Sequence, residues 1–155
     1  MKNYKKRIIG ILILFIIVSC TLESQFTLPN DEEINTELIG EWTLEKNSDN
    51  RINIIKNGEK SYRLQIIEGN EYEELIGFSK TINGFSIMNL KTEENGVITY
   101  LFYGFNVKEN TLIFSEVNDK LHDDEFESQS ELLQFFEENV AKEDFFTNTF
   151  ELNRK

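Results

Sequence analysis

A single cysteine, Cys20, leaves this chain no means of forming a disulfide framework or a thiolate zinc cluster. A single histidine, His122, excludes a histidine-ligated structural zinc site, and no nucleophile-elbow pattern surrounds any serine. That histidine sits in the acidic stretch KLHDDEFE and reads as a solvated side chain. No glycine-rich loop is present that would cradle a phosphate. Basic residues are scarce: 16 Lys and Arg face 28 Asp and Glu. Such a surface repels the phosphate backbone and excludes nucleic acid as a partner. These absences lead to the expectation of a protein that is not an enzyme and carries no catalytic residue, metal or cofactor.

Long hydrophobic runs are also missing, with one exception. Lys2, Lys5, Lys6 and Arg7 precede an apolar stretch over 8–18, which is shorter than the roughly 18–20 residues of a membrane-spanning helix. Ile17-Val18-Ser19-Cys20 closes the stretch, and a small residue before a cysteine at that point resembles the bacterial lipobox. The resemblance implies cleavage before Cys20, diacylation of its sulfur and acylation of the new amino terminus. Several acyl chains anchor stably where one does not. The expected organisation is a lipoprotein signal peptide over 1–19, a tether over 20–36 and one domain over 37–155. The expected location is the bacterial cell envelope, with the membrane as a partner through lipidated Cys20. Thr21, in place of an aspartate, favours the outer membrane or cell surface over the inner membrane.

From Cys20 onward the chain keeps twelve basic and all 28 acidic side chains, a net charge of −16. That charge keeps a tethered domain dispersed, and it attracts cationic partners. The stretch TLESQFTLPNDEEINT carries the only proline and an acidic triplet, and reads as a linker.

Period-two alternation dominates the domain. Strands are expected over 41–46, 51–56, 60–67, 75–82, 85–91, 97–107 and 111–117. Asn57-Gly58 and Asn83-Gly84 serve as hairpin turns, because both turn residues tolerate positive φ. Gly104 within a strand suggests a bulge or bend. Ser128 followed by Glu131 is a capping-box pattern, and Leu132, Leu133, Phe135, Phe136 and Val140 follow at helical spacing. Phe150 and Leu152 alternate with polar residues in a last strand. The expected fold is mostly β: an antiparallel up-and-down barrel with one C-terminal helix packed on it before the last strand.

Leu38-Ile39-Gly40-Glu41-Trp42 opens the first strand, and its Gly-x-Trp resembles the opening signature of the lipocalin and wider calycin families. The resemblance implies an up-and-down barrel with a flanking helix near the carboxyl end. It also implies a closing contact in which Arg154 crosses Trp42, a cation–π interaction of about 0.5–2 kcal/mol. The tail SELLQFFEENVAKEDFF and FELNRK is similar to the ends of small bacterial proteins that start with LxGxW, a resemblance that implies no activity.

Two functions fit this reading. The first is binding of a small apolar molecule inside the barrel, with Phe85, Tyr100, Phe102 and Phe105 as candidate contacts. The second is capture or inhibition of a basic protein by the acidic surface, with electrostatics setting the on-rate. Asn118, Asp119, Asp123, Asp124 and Glu125 gather oxygen atoms in one loop, but the EF-hand spacing and its glycine are missing, so no calcium site is expected.

Overall fold

The computed structural model describes residues 20–45 and 48–155. The leader expected over 1–19 and the end of the strand expected over 41–46 lie outside the described residues. One antiparallel sheet contains β1 (Glu23–Ser24), β2 (Gly40–Thr43), β3 (Arg51–Lys56), β4 (Tyr62–Glu68), β5 (Glu71–Ile82), β6 (Phe85–Glu94), β7 (Val97–Lys108), β8 (Thr111–Val117) and β9 (Phe146–Arg154). Helix α1 (Gln129–Asn139) lies between β8 and β9. Each strand from β2 to β8 pairs with the next, and β9 pairs with both β8 and β2. The expected barrel is therefore present as a closed ring of eight strands, with β1 added outside it on β7.

Turn chemistry explains the tight hairpins. Asn83 and Gly84 take φ of 50° and 87°, and Asn95 and Gly96 take 52° and 80°, the positive pair that matches strand twist. Asn57-Gly58 behaves differently from expectation. Only Gly58 has positive φ, and Asn57 N–H donates to Ser61 C=O at 2.9 Å across a wider loop. The Asn57 side chain holds that loop, accepting from Arg63 at 3.1 Å and donating to Ser61 Oγ at 3.2 Å.

The helix begins where the capping box places it. Ser128 Oγ accepts from Glu131 N–H at 3.1 Å, and the Glu131 carboxylate accepts from Glu127 N–H at 2.6 Å. Leu132, Phe135, Phe136 and Val140 of this segment pack with Phe145 onto Ile82, Ile87, Phe102 and Val117 of the barrel wall. A second core fills the ring itself with Trp42, Ile54, Tyr62, Met88, Tyr103, Leu112 and their neighbours. The middle segments of β6 and β7 are consequently buried on both faces, and neighbouring residues such as Ile87 and Met88 are both inaccessible.

The segment read as a free tether is packed instead. Thr21 bridges Asn118; its hydroxyl donates to Phe102 C=O at 2.5 Å and accepts from Val117 N–H at 3.0 Å. Leu22 then bonds to Val117 and Phe102. Leu28 is fully buried, with its N–H given to the Asn89 side chain at 3.1 Å. Farther on, Lys80 holds Asp31 at 2.7 Å and Glu32 at 3.1 Å, and Glu32 also accepts from the Thr81 amide. The acidic triplet of the stretch read as a linker thus supplies a latch, because Lys80 on β5 lies within reach of it.

Gly104 makes neither bulge nor bend: its pairing runs unbroken on both sides, and the irregularity lies between Ser115 and Glu116 of β8. The glycine is needed because a Cβ there would come within 2.4 Å of the Phe146 ring.

Two outcomes follow. Gly104→Ala destabilises by about 1–3 kcal/mol in urea unfolding, because the ring of Phe146 must move. For the latch, Lys80 holds Asp31 below its ordinary carboxylate range, and Asp31 holds Lys80 above its own. Its contribution is present above the unfolded carboxylate pKa and is lost as pH falls through the lowered value of Asp31; at the alkaline end it is lost as pH rises through the raised value of Lys80. Lys80→Met therefore speeds hydrogen exchange of the Leu28 amide at neutral pH, and in the unsubstituted protein acid that protonates Asp31, below the ordinary carboxylate range, does the same.

Candidate functional site

The base of the barrel is sealed. Trp42 is fully buried and its indole N–H donates to Leu38 C=O at 2.9 Å. The Arg154 guanidinium lies 4.2 Å from the Trp42 ring centroid and donates to the carbonyls of Ile39 at 2.9 Å and Glu37 at 2.8 Å. A Cβ on Gly40 would come within 2.4 Å of that guanidinium, so the Gly-x-Trp spacing leaves Arg154 room to cross. The structure thus brings Trp42 and Arg154 together, and they are also paired in register between β2 and β9.

Above this seal the interior is solid. Among the described residues, Ile52, Leu64, Leu75, Leu90, Leu101 and Tyr103 surround a void of only about 20 Å³. Small-molecule pockets run to roughly 300 Å³ or more. Eight strands enclose a space that side chains just fill, which is the outcome here.

The four aromatic candidates do not converge. On β7, alternation turns Leu101, Tyr103 and Phe105 inward and Tyr100 and Phe102 outward, beneath α1. Phe102 meets Phe136 at 5.3 Å between ring centroids. Phe105 belongs to the interior. Phe85 is exposed at the β5–β6 hairpin, 5.9 Å from Phe146, beside a surface groove of about 350 Å³. His122 is not the solvated side chain expected: it stacks on Phe126 at 4.0 Å and its Nε2 is buried. In the acidic loop, Asn118 is engaged by Lys120 N–H at 3.1 Å and Asp144 C=O at 2.9 Å. Cys20 is exposed, immediately before the buried Thr21.

The end opposite the seal is open and acidic. β5 and β6 share a ladder from Ile82↔Phe85 up to Ile76↔Lys91, and there it stops. Beyond that point residues 71–75 pair only with β4, and residues 92–94 only with β7. The two hairpins part into a cleft of about 510 Å³ whose walls include Glu23, Glu73, Glu74, Glu93 and Glu94, with Lys91 at the vertex. Leu75 and Leu101 line both this cleft and the interior void, so its floor is apolar. Among the described residues, three of the four exposed large apolar side chains, Tyr72, Val97 and Ile98, sit on the hairpins flanking it.

Desolvation and hydrogen bonding shape these carboxylates. Partial burial pushes Glu73 up, and Glu68 rises through desolvation and the nearby charge of Glu71. Glu74 moves the other way, because the Tyr72 hydroxyl donates to it at 2.5 Å, with Gln65 and Arg63 adding to the effect. This acidic mouth was not singled out from the sequence. Its signal was available in EYEE at 71–74 and TEEN at 92–95, two acidic runs that flank hairpin turns.

Comparison with protein-family models, with curated proteins and with solved structures finds no match.

Arg154→Met, which keeps the aliphatic stem but removes the cation and both carbonyl bonds, lowers stability by about 1–3 kcal/mol in denaturant unfolding. Glu73 has a raised folded pKa, so its contribution is fully present below its unfolded value near 4.5 and is lost as pH rises through the folded one. Glu73→Gln accordingly raises the melting temperature at pH 7 and leaves it unchanged at pH 3.5.

Proposed function

We propose that this protein is a lipid-anchored, non-enzymatic interaction module of the bacterial cell envelope, and that it captures a basic protein. The observation that carries this reading is the pairing of exposed apolar side chains with acids at the barrel mouth. Tyr72, Val97 and Ile98 are exposed by 58%, 54% and 39%, and Glu71, Glu73, Glu93 and Glu94 stand beside them on the same hairpins. Exposed apolar groups rimmed by charge of one sign suit a partner with apolar anchors and the opposite charge. The solid interior weighs against the rival reading, a small apolar molecule held inside.

Anchoring through Cys20 rests on the leader's sequence pattern, and the lipocalin-like assignment rests on the contact of Gly40, Trp42 and Arg154. Neither supplies a ligand. Among the described residues no helix is long and apolar enough to cross a membrane.

The full-length protein in mild nonionic detergent, challenged with poly-L-lysine and with a fluorescent fatty acid, separates the two readings. Poly-L-lysine binds and weakens at least ~10-fold between low and physiological salt, while the fatty acid does not bind. Saturable fatty-acid binding with no affinity for the polycation overturns the proposal. Anchoring has its own readout: radiolabelled palmitate enters the unsubstituted protein and not Cys20→Ser.

A further inference from the structure

We propose that the cleft between β5 and β6 receives an extended basic peptide, which adds a strand to the free edge of β5. This deepens the reading of the protein as a captor of basic partners and rests on it.

The backbone supplies the first part of the argument. Above Ile76 and Lys91 each strand has one neighbour where it had two below, so residues 71–75 and 92–94 turn a row of amides and carbonyls toward the gap. Free edges are templates for another strand, and proteins usually blunt them with proline, a bulge or inward lysines. Neither strand contains proline, and the ladders that flank the gap run without a register shift. The free length of β5, five residues at about 3.3 Å each, matches a short peptide segment.

Charge then selects the occupant. Glu73 and Glu74 line one side of the cleft and Glu93 and Glu94 the other, with Glu23 alongside. A second copy of this chain would bring the same acids to the same edge and be repelled. A strand carrying Lys or Arg would neutralise them. The floor sets the remaining requirement. Leu75 and Leu101 open from the cleft onto the apolar interior, so alternate residues of the peptide are apolar. Side chains of an added strand point alternately to opposite faces. The recognised chemistry is therefore an extended segment in which basic and apolar residues alternate. Backbone bonding to a sheet edge gives affinity, and the alternate side chains give specificity.

The test measures fluorescence anisotropy on the full-length protein in nonionic detergent, with a labelled peptide of four arginines alternating with three leucines. Two further probes are the same peptide N-methylated on alternate residues and its glutamate-for-arginine counterpart. The arginine peptide binds, the N-methylated form binds at least ~10-fold more weakly, and the glutamate form does not bind. Glu73→Lys combined with Glu94→Lys weakens the arginine peptide at least ~10-fold while the melting temperature confirms folding. Cross-strand nuclear Overhauser contacts join the peptide to the amides of Glu73 or Leu75. Equal binding of the N-methylated peptide overturns strand addition. Unchanged binding to the charge-reversed variant places the basic partner elsewhere, so the cleft proposal fails and the capture reading stands. Failure of both the arginine peptide and poly-L-lysine to bind removes both. Self-association that protects the 71–75 amides makes a second copy the occupant and also overturns the proposal.

Discussion

Two register pairs, Trp42↔Arg154 and Thr43↔Asn153, with Lys155 N–H donating to Glu41 C=O at 2.9 Å beside them, hold the first ring strand against the last, and Arg154 crosses that seam to lock it. Its guanidinium covers the indole and ties down the carbonyls of the turn before β2. Without this joint the sheet would keep two long edges, which is the liability that barrels remove. With it, the ring is fixed at eight strands, and ring size fixes the interior. Side chains as large as Trp42, Tyr62 and Tyr103 then leave almost no space. Closure at the base is thus the physical reason that recognition is sought on the outside of this barrel.

The strands are unequal, and the inequality shapes the mouth. β2 has four residues and β3 six, while β5 and β7 have twelve each. The long strands continue past the point where the ring can keep them paired, and their upper halves follow different neighbours. Two hairpins therefore stand apart above a common apolar floor. Acids on both walls put charge of one sign along these edges.

Much of the fold was legible because local rules and tertiary structure agreed. Asn83-Gly84 turned where positive φ was required, and Ser128 with Glu131 began the helix that packs on the wall. Gly40, Trp42 and Arg154 lie together at the closed end. Other features escaped for physical reasons. Alternation on β7 separates two sets of residues but cannot say which set faces inward when both are apolar. α1 covers the outer face, so Tyr100 and Phe102 are as hydrophobic as Leu101 and Tyr103. The strap over 21–36 looked like a linker because its polar residues outnumber Leu22 and Leu28; their burial depends on Asn89 and Lys80, far away in sequence. EYEE at 71–74 lacks alternation because that part of β5 is exposed on both faces. Gly104 looked like a bend because the ring it accommodates, Phe146, lies on a distant strand.

Native-state amide hydrogen exchange, resolved by residue in the ligand-free full-length protein, tests this architecture most directly. Protection is expected to run around the whole ring at its base, including Trp42 and Thr43 at the seam, and across β5 and β6 up to Ile76 and Lys91. It is expected to drop sharply for the amides of 71–75 and 92–94 that point away from β4 and β7. Uniform protection along the full length of β5 and β6, or rapid exchange at the seam, contradicts a barrel that is locked at one end and divided at the other.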